Sequence, residues 1–141
     1  MATYDAAALK AELSRDEGRR ARIYTDTIGK VSGGIGRNLT DCGFHDDEID
    51  LMYQNDVETT ESWLDLNLPW WRRLDPVRQR VMMNMAFNLQ SRLLGFRGFL
   101  AAAQSGDYQK ASAEMLDSLW ARQVGSRATR LADMMEKGET A

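Results

Sequence analysis

Only one stretch of this sequence reads as β-structure, and it is short. Ile23, Tyr24, Thr25, Thr27, Ile28, Val31 and Ile35 are β-branched or aromatic, and Gly29, Gly33, Gly34 and Gly36 punctuate them. Such side chains suit a pleated surface, and glycine permits tight turns. The spacing predicts a small antiparallel hairpin or sheet over 22–41. A chain with so little strand has to build its core from helices. Its composition allows that: Pro occurs twice, and apolar residues make up 43% of 141 positions. That size fits a single domain, or two small lobes sharing a helix.

The flanks carry helical periodicity. Ala6, Leu9 and Leu13 recur at helical spacing over 5–16, and Gly18 is a stop signal. From Asp46, the residues Ile49, Met52, Tyr53 and Val57 share one face of a long helix of about five turns, over 46–65. Asp46, Asp47 and Glu48 fall in its first turn, where the helix dipole favours carboxylates, and His45 or Asp46 is placed to cap it. Asp75-Pro76 is a capping side chain followed by proline at the first helical position. Val77, Val81, Met82, Met85, Ala86 and Leu89 then form a broad apolar stripe, the expected central core helix. Shorter helices are predicted over 96–104, 108–119 and 126–136. The fold class that follows is α+β and mainly helical: a small N-terminal sheet lobe over about 5–45, the long helix, and a larger helical lobe over about 66–138. A cleft between two such lobes would suit a polymeric ligand.

Several function classes are disfavoured. The formal net charge of −3 offers no global attraction for nucleic acid, although Arg15, Arg19, Arg20 and Arg22 crowd one segment. Cys42 is the only cysteine, so no intrachain disulfide can form. His45, the only histidine, has no second metal-type ligand at a useful spacing, and no metal or other cofactor is expected. Gly33-Gly34-Ile35-Gly36 lacks the Lys-Ser/Thr ending of a phosphate loop. Trp70-Trp71 are expected to be partly buried, with Arg72 and Arg73 outside. The first residues hold no apolar run long enough for a secretory signal or a membrane span, so the sequence predicts cytoplasmic synthesis without membrane insertion.

Chemistry concentrates near the first helix end. Hydrolysis of a glycosidic bond needs two carboxyl groups in different environments, one protonated to donate and one ionised to position water or support positive charge. Asp16 and Glu17 end the first helix, Asp26 lies on the first strand candidate, and Ser32 lies further along the hairpin.

The run Asp16-Glu17-Gly18, then Tyr24-Thr25-Asp26, then Ser32-Gly33-Gly34-Ile35-Gly36 resembles the phage-type lysozymes related to the T4 enzyme, glycoside hydrolase family 24. Glu17, Asp26 and Ser32 keep the spacing of that family's catalytic Glu, Asp and Thr without a gap. The likeness extends through Asn55-Asp56-Val57, Leu74-Asp75-Pro76-Val77-Arg78, Asn84-Met85-Ala86-Phe87-Asn88, Gly95-Phe96 and Trp120-Ala121-Arg122-Gln123 with Arg127. The resemblance implies a lysozyme-like fold and hydrolysis of the β-1,4 bond between N-acetylmuramic acid and N-acetylglucosamine in bacterial peptidoglycan. It implies Glu17 as general acid and Asp26 as the water-positioning carboxylate of an inverting reaction. It also implies Phe87 and Asn38 as substrate-binding residues and Arg127 as partner of the catalytic acid. The expected agent is a monomeric endolysin acting on the wall in the periplasm, with a holin-type pore protein giving access.

Three departures stand out. Ser32 replaces the usual Thr, keeping the hydroxyl but losing the methyl that fixes its rotamer. Gly33 replaces a β-branched residue, which predicts a looser strand. The chain is acidic where many relatives are basic. A non-catalytic wall-binding or virion structural module is the main alternative. A transglycosylase is a weaker one, because internal attack needs no water-positioning carboxylate such as Asp26.

Overall fold

The computed structural model describes residues 3–140, as an α+β, mainly helical chain with one three-stranded antiparallel sheet. The chain divides into two compact units, one ending at Leu51 and one beginning at Met52, so the boundary falls inside the long helix.

In the first unit, α1 spans Ala6–Glu17. The Asp5 carboxylate accepts the Ala8 N–H at 3.0 Å, and Gly18, at φ 82, turns the chain out of the helix. No α1 side chain is buried. The strands are β1 (Arg20–Thr25), β2 (Val31–Gly34) and β3 (Arg37–Asn38), in that order across the sheet. Tyr24 pairs with Ser32 and Ser32 with Asn38, and β1 is irregular between Arg20 and Tyr24. A short helix not anticipated in the sequence, α2 (Leu39–Cys42), follows β3 directly. Its cause is local: Asn38 Oδ1 accepts the Asp41 N–H at 3.1 Å and so caps it. The long helix α3 covers Asp46–Asn67, two residues beyond the expected end. At its start the Glu48 carboxylate accepts the His45 N–H at 2.7 Å, as in one half of a capping box.

The periodic stripe on α3 marks a face but not burial. Ile49, Met52 and Tyr53 are exposed, and Leu64 is the helix's only buried side chain. The core of the second unit lies beyond it. A 3-10 turn over Pro69–Arg73 buries Trp70 and Trp71 and leaves Arg72 and Arg73 exposed. The Trp71 indole donates to Asp65 at 2.8 Å, which satisfies its polar end. Next comes α4 (Pro76–Leu89), capped by Asp75; of the predicted stripe Val81, Met82, Met85, Ala86 and Leu89 are buried, while Val77, in the first turn, is half-buried. A second 3-10 segment (Gln90–Gly95) leads to α5 (Arg97–Ser105) and α6 (Tyr108–Leu116). The helix expected over 108–119 is in fact split. Ser118 Oγ donates to Met115 O at 2.7 Å and accepts the Ala121 N–H at 3.1 Å, closing α6 and opening α7 (Leu119–Val124). The last helix, α8 (Ser126–Lys137), packs on α6 and α4.

Arg78 joins the ends of this unit. Its guanidinium donates to Met135 O at 2.6 Å, to Glu136 O at 2.8 Å and to Asp75 Oδ2 at 2.9 Å. It lies 3.5 Å from the centroid of the Tyr108 ring. The last carbonyls of α8, which no intrahelical donor reaches, are thus capped from α4. No described helix is long and apolar enough to cross a membrane.

Candidate active site

Glu17 is the last residue of α1, and Gly18 directs the chain straight into β1. Its side chain rests on the β2–β3 turn at Gly36, whose φ is +65. A Cβ at Gly36 would lie 2.7 Å from Glu17 Oε2 and 2.8 Å from Glu17 Cβ. Glycine there serves twice: it allows the left-handed turn and it leaves room for the carboxylate.

Asp26 follows β1 and anchors the β1–β2 turn. Its Oδ1 accepts the Ile28 N–H at 3.0 Å and the Lys30 N–H at 2.8 Å. Its own N–H donates to Lys30 O at 2.8 Å, and its carbonyl accepts the Gly29 N–H at 3.1 Å. The turn therefore holds one carboxylate oxygen and does not engage Oδ2. This structural duty was not visible in the sequence, although Asp followed three residues later by Gly is a turn signal.

Ser32 is 5% exposed and lies on β2, the strand that joins the two turns. Directly paired residues share a sheet face, so Tyr24, Ser32 and Asn38 point the same way. Asn38 is occupied as the α2 cap, and its Nδ2 also donates to Asp41 Oδ2 at 2.8 Å. Its backbone belongs to β3. The Val31 N–H donates to Thr40 Oγ1 at 2.8 Å, tying α2 back to β2. The Arg20 guanidinium stacks 4.4 Å from the Tyr24 ring centroid. Gly33 is buried beside Ile23 and Leu39.

One strong ion pair braces this unit. Arg37 Nη2 lies 2.5 Å from Glu48 Oε2. The Arg37 guanidinium, with help from the His45 N–H, holds the Glu48 carboxyl at about 2, well below its ordinary 4.5.

Phe87 and Arg127 belong to the second unit. Both line a groove of about 450 Å³ that also includes Tyr53, Val57, Met83 and Asn84. Arg127, in the first turn of α8, donates through Nε and Nη2 to Asn84 Oδ1 at 2.9 and 2.6 Å. Phe87, 40% exposed, also borders a second groove, of about 510 Å³, with Trp63 and Gln90. Gln90 has φ 55, and its strained backbone could not be read from the residue type. The one available signal was a helix ending without the glycine or asparagine that usually follows. Among the described residues no group of three or more His, Cys, Asp or Glu is placed to hold a metal ion.

The first unit thus sets Glu17 against one turn of a sheet, Asp26 in the other turn, and Ser32 on the strand between. No protein-family model matches the chain. Two relatives do. It is 22% identical over 161 aligned positions to Probable T4-type lysozyme 1 of Dictyostelium discoideum, covering 93% of this chain and 95% of that protein. The chain is similar to a T4-type lysozyme. It is also 26% identical over 155 aligned positions to the pre-baseplate central spike protein Gp5 of Enterobacteria phage T4, covering 89% of this chain. The chain spans only 27% of the length of that spike protein. The distant similarity to the Dictyostelium protein supports a lysozyme-like function.

Proposed function

We propose that this protein is a glycoside hydrolase of the phage-type lysozyme family, glycoside hydrolase family 24, cutting the β-1,4 bond between N-acetylmuramic acid and N-acetylglucosamine in peptidoglycan. The observation that carries the reading is the seat of Glu17 on Gly36, on the same small sheet whose other turn is anchored by Asp26. Protonated Glu17 gives its proton to the glycosidic oxygen as the C1–O bond breaks. Asp26, through the oxygen left outside its turn, orients a water on the opposite sugar face and takes its proton as the water oxygen bonds to C1. The Ser32 hydroxyl helps hold that water. The product is inverted at C1, Asp26 releases its proton to solvent, and Glu17 regains one from solvent. Phe87, Asn38 and Arg127, the last bonded here to Asn84, are the remaining candidate site residues of this reading. In this reading the protein is a monomer made in the host cytoplasm that reaches the wall through a holin-type pore.

Similarity to a central spike protein favours a second reading, a lysozyme-like module carried on a virion. The test common to both is clearing of permeabilised Gram-negative cells by pure protein across a range of salt. Glu17→Gln should remove nearly all clearing while the far-UV spectrum stays unchanged; substantial residual clearing would refute the assignment of the acid. No clearing by the parent protein would leave only a binding module. Anhydro ends on the released sugars would exclude hydrolysis.

A further inference from the structure

Lys30 is the residue against which Asp26 is held. Its N–H donates to Asp26 Oδ1 at 2.8 Å, and its carbonyl accepts the Asp26 N–H at 2.8 Å. Two side chains of α2 reach Lys30 and the next residue. The Lys30 ammonium donates to Asp41 Oδ1 at 3.0 Å, and the Val31 N–H donates to Thr40 Oγ1 at 2.8 Å. Val31 in turn pairs with Thr25, the residue before Asp26. Adjacent residues of α2 therefore grip adjacent residues at the entry to β2.

The helix that does this is itself tied down. Asp41 Oδ2 accepts Asn38 Nδ2 at 2.8 Å, and the Asp41 N–H donates to Asn38 Oδ1 at 3.1 Å. Asn38 pairs with Ser32 on β2. One carboxylate thus links the end of β3 to the turn that carries Asp26. An exposed Lys–Asp pair contributes little to stability by itself, because water and salt screen it. Its effect here is on placement. Asp26 gives one oxygen to two turn N–H groups, and the direction of the other oxygen is fixed only while those donors stay where they are. Lys30 supplies one of the two donors, and α2 holds Lys30 from the far side.

We infer that Thr40 and Asp41 are positioning residues for Asp26, acting through Lys30 and Val31. Their role in turnover rests on the hydrolase reading; the brace on the turn is read without turnover. The test compares Thr40→Val/Asp41→Asn with wild type, at a temperature where both are folded. Amide exchange by NMR should quicken about fivefold or more at Lys30. A misplacement of 1 Å can cost about a hundredfold, so the loosened turn should lose roughly tenfold in kcat on soluble peptidoglycan fragments, with KM within about twofold. Tm should fall by only roughly 2–6 °C. Thr40→Ser, which keeps the accepting hydroxyl, should retain wild-type kcat within about twofold. Asp133→Asn is the control: it breaks a comparably exposed pair, Lys137 Nζ with Asp133 Oδ1 at 2.8 Å, and should leave Lys30 exchange and kcat unchanged. Unchanged Lys30 exchange or unchanged kcat in the double variant overturns the proposal. So does an equal loss of kcat in Thr40→Ser or in Asp133→Asn, because the effect would then not come from these bonds. If the wild-type protein cuts no peptidoglycan, the hydrolase reading falls and Lys30 exchange alone decides the brace: faster exchange in the double variant upholds it, unchanged exchange removes it.

Discussion

Gly36→Ala tests whether Glu17 acts from the position seen here. The new Cβ would lie 2.8 Å from Glu17 Cβ and 2.7 Å from Oε2. Carbon atoms prefer separations of about 3.5–4.0 Å, so the Glu17 side chain must retreat by about 0.7 Å or more. The backbone adds a separate penalty, because φ is +65 at this position. A non-glycine residue in the left-handed region costs about 1–2 kcal/mol, a fall in Tm of roughly 3–8 °C for a chain of this size. Misplacing a catalytic group by about 1 Å can cost roughly a hundredfold in rate, or about 2.7 kcal/mol of transition-state stabilisation. Gly106→Ala is the control: its φ is +84, but nothing lies within 4 Å of the added Cβ. Both variants should lose stability in thermal melts, whereas only Gly36→Ala should lose about a hundredfold in initial clearing rate, measured well below Tm. Gly36→Ala activity within about threefold of wild type, at a temperature where it is folded, would refute the reasoning. Glu17 would then act from some other position, or not at all.

Three further outcomes follow from the packing. Arg78→Met keeps the aliphatic stem but leaves the Met135 and Glu136 carbonyls without their donor and removes the cation over Tyr108. Charge-assisted bonds of this kind, partly non-additive with the ring contact, predict a loss of about 3–5 kcal/mol in urea unfolding; a loss under about 1 kcal/mol would show that the clamp is dispensable. Gly33→Ala places a Cβ 3.4 Å from Leu39 Cδ1 and 3.6 Å from Ile23 Cγ2, in ordinary contact. It should raise the urea midpoint, by about 0.5–1 kcal/mol in stability, since the strand then loses less backbone freedom on folding. The Glu48 carboxyl, held at about 2 against an ordinary 4.5, adds stability that is fully present above about 4.5 and lost as pH falls through about 2. Glu48→Gln should therefore lower the urea midpoint at pH 6 and have little effect at pH 2; equal effects at both would contradict the pairing with Arg37.

Much of the local structure was legible because its causes span three or four residues. Asp75-Pro76 started α4 and Gly18 ended α1, since capping bonds and φ preferences operate within one turn. The split of 108–119 was missed because Ser118 reads as an ordinary helix residue until its hydroxyl is seen bonding both ways. The stripe on α3 misled for a different reason. Periodicity gives the direction of a face, while burial depends on whether another element covers it, and Ile49, Met52 and Tyr53 are exposed.

The candidate site divides along the same line. From the sequence came the carboxylates Glu17 and Asp26, the hydroxyl of Ser32 beside Gly33, and the single short sheet that could hold them. A helix end, a strand and a turn are each encoded by adjacent residues. Only the tertiary structure showed that Gly36 seats Glu17 across the sheet, that Asp26 gives one oxygen to its own turn, and that Gln90 is strained at the edge of a groove. It alone showed Arg78 reaching the far end of α8. Contacts between residues far apart in the chain are fixed by how elements pack, and no local pattern of residue types records that packing.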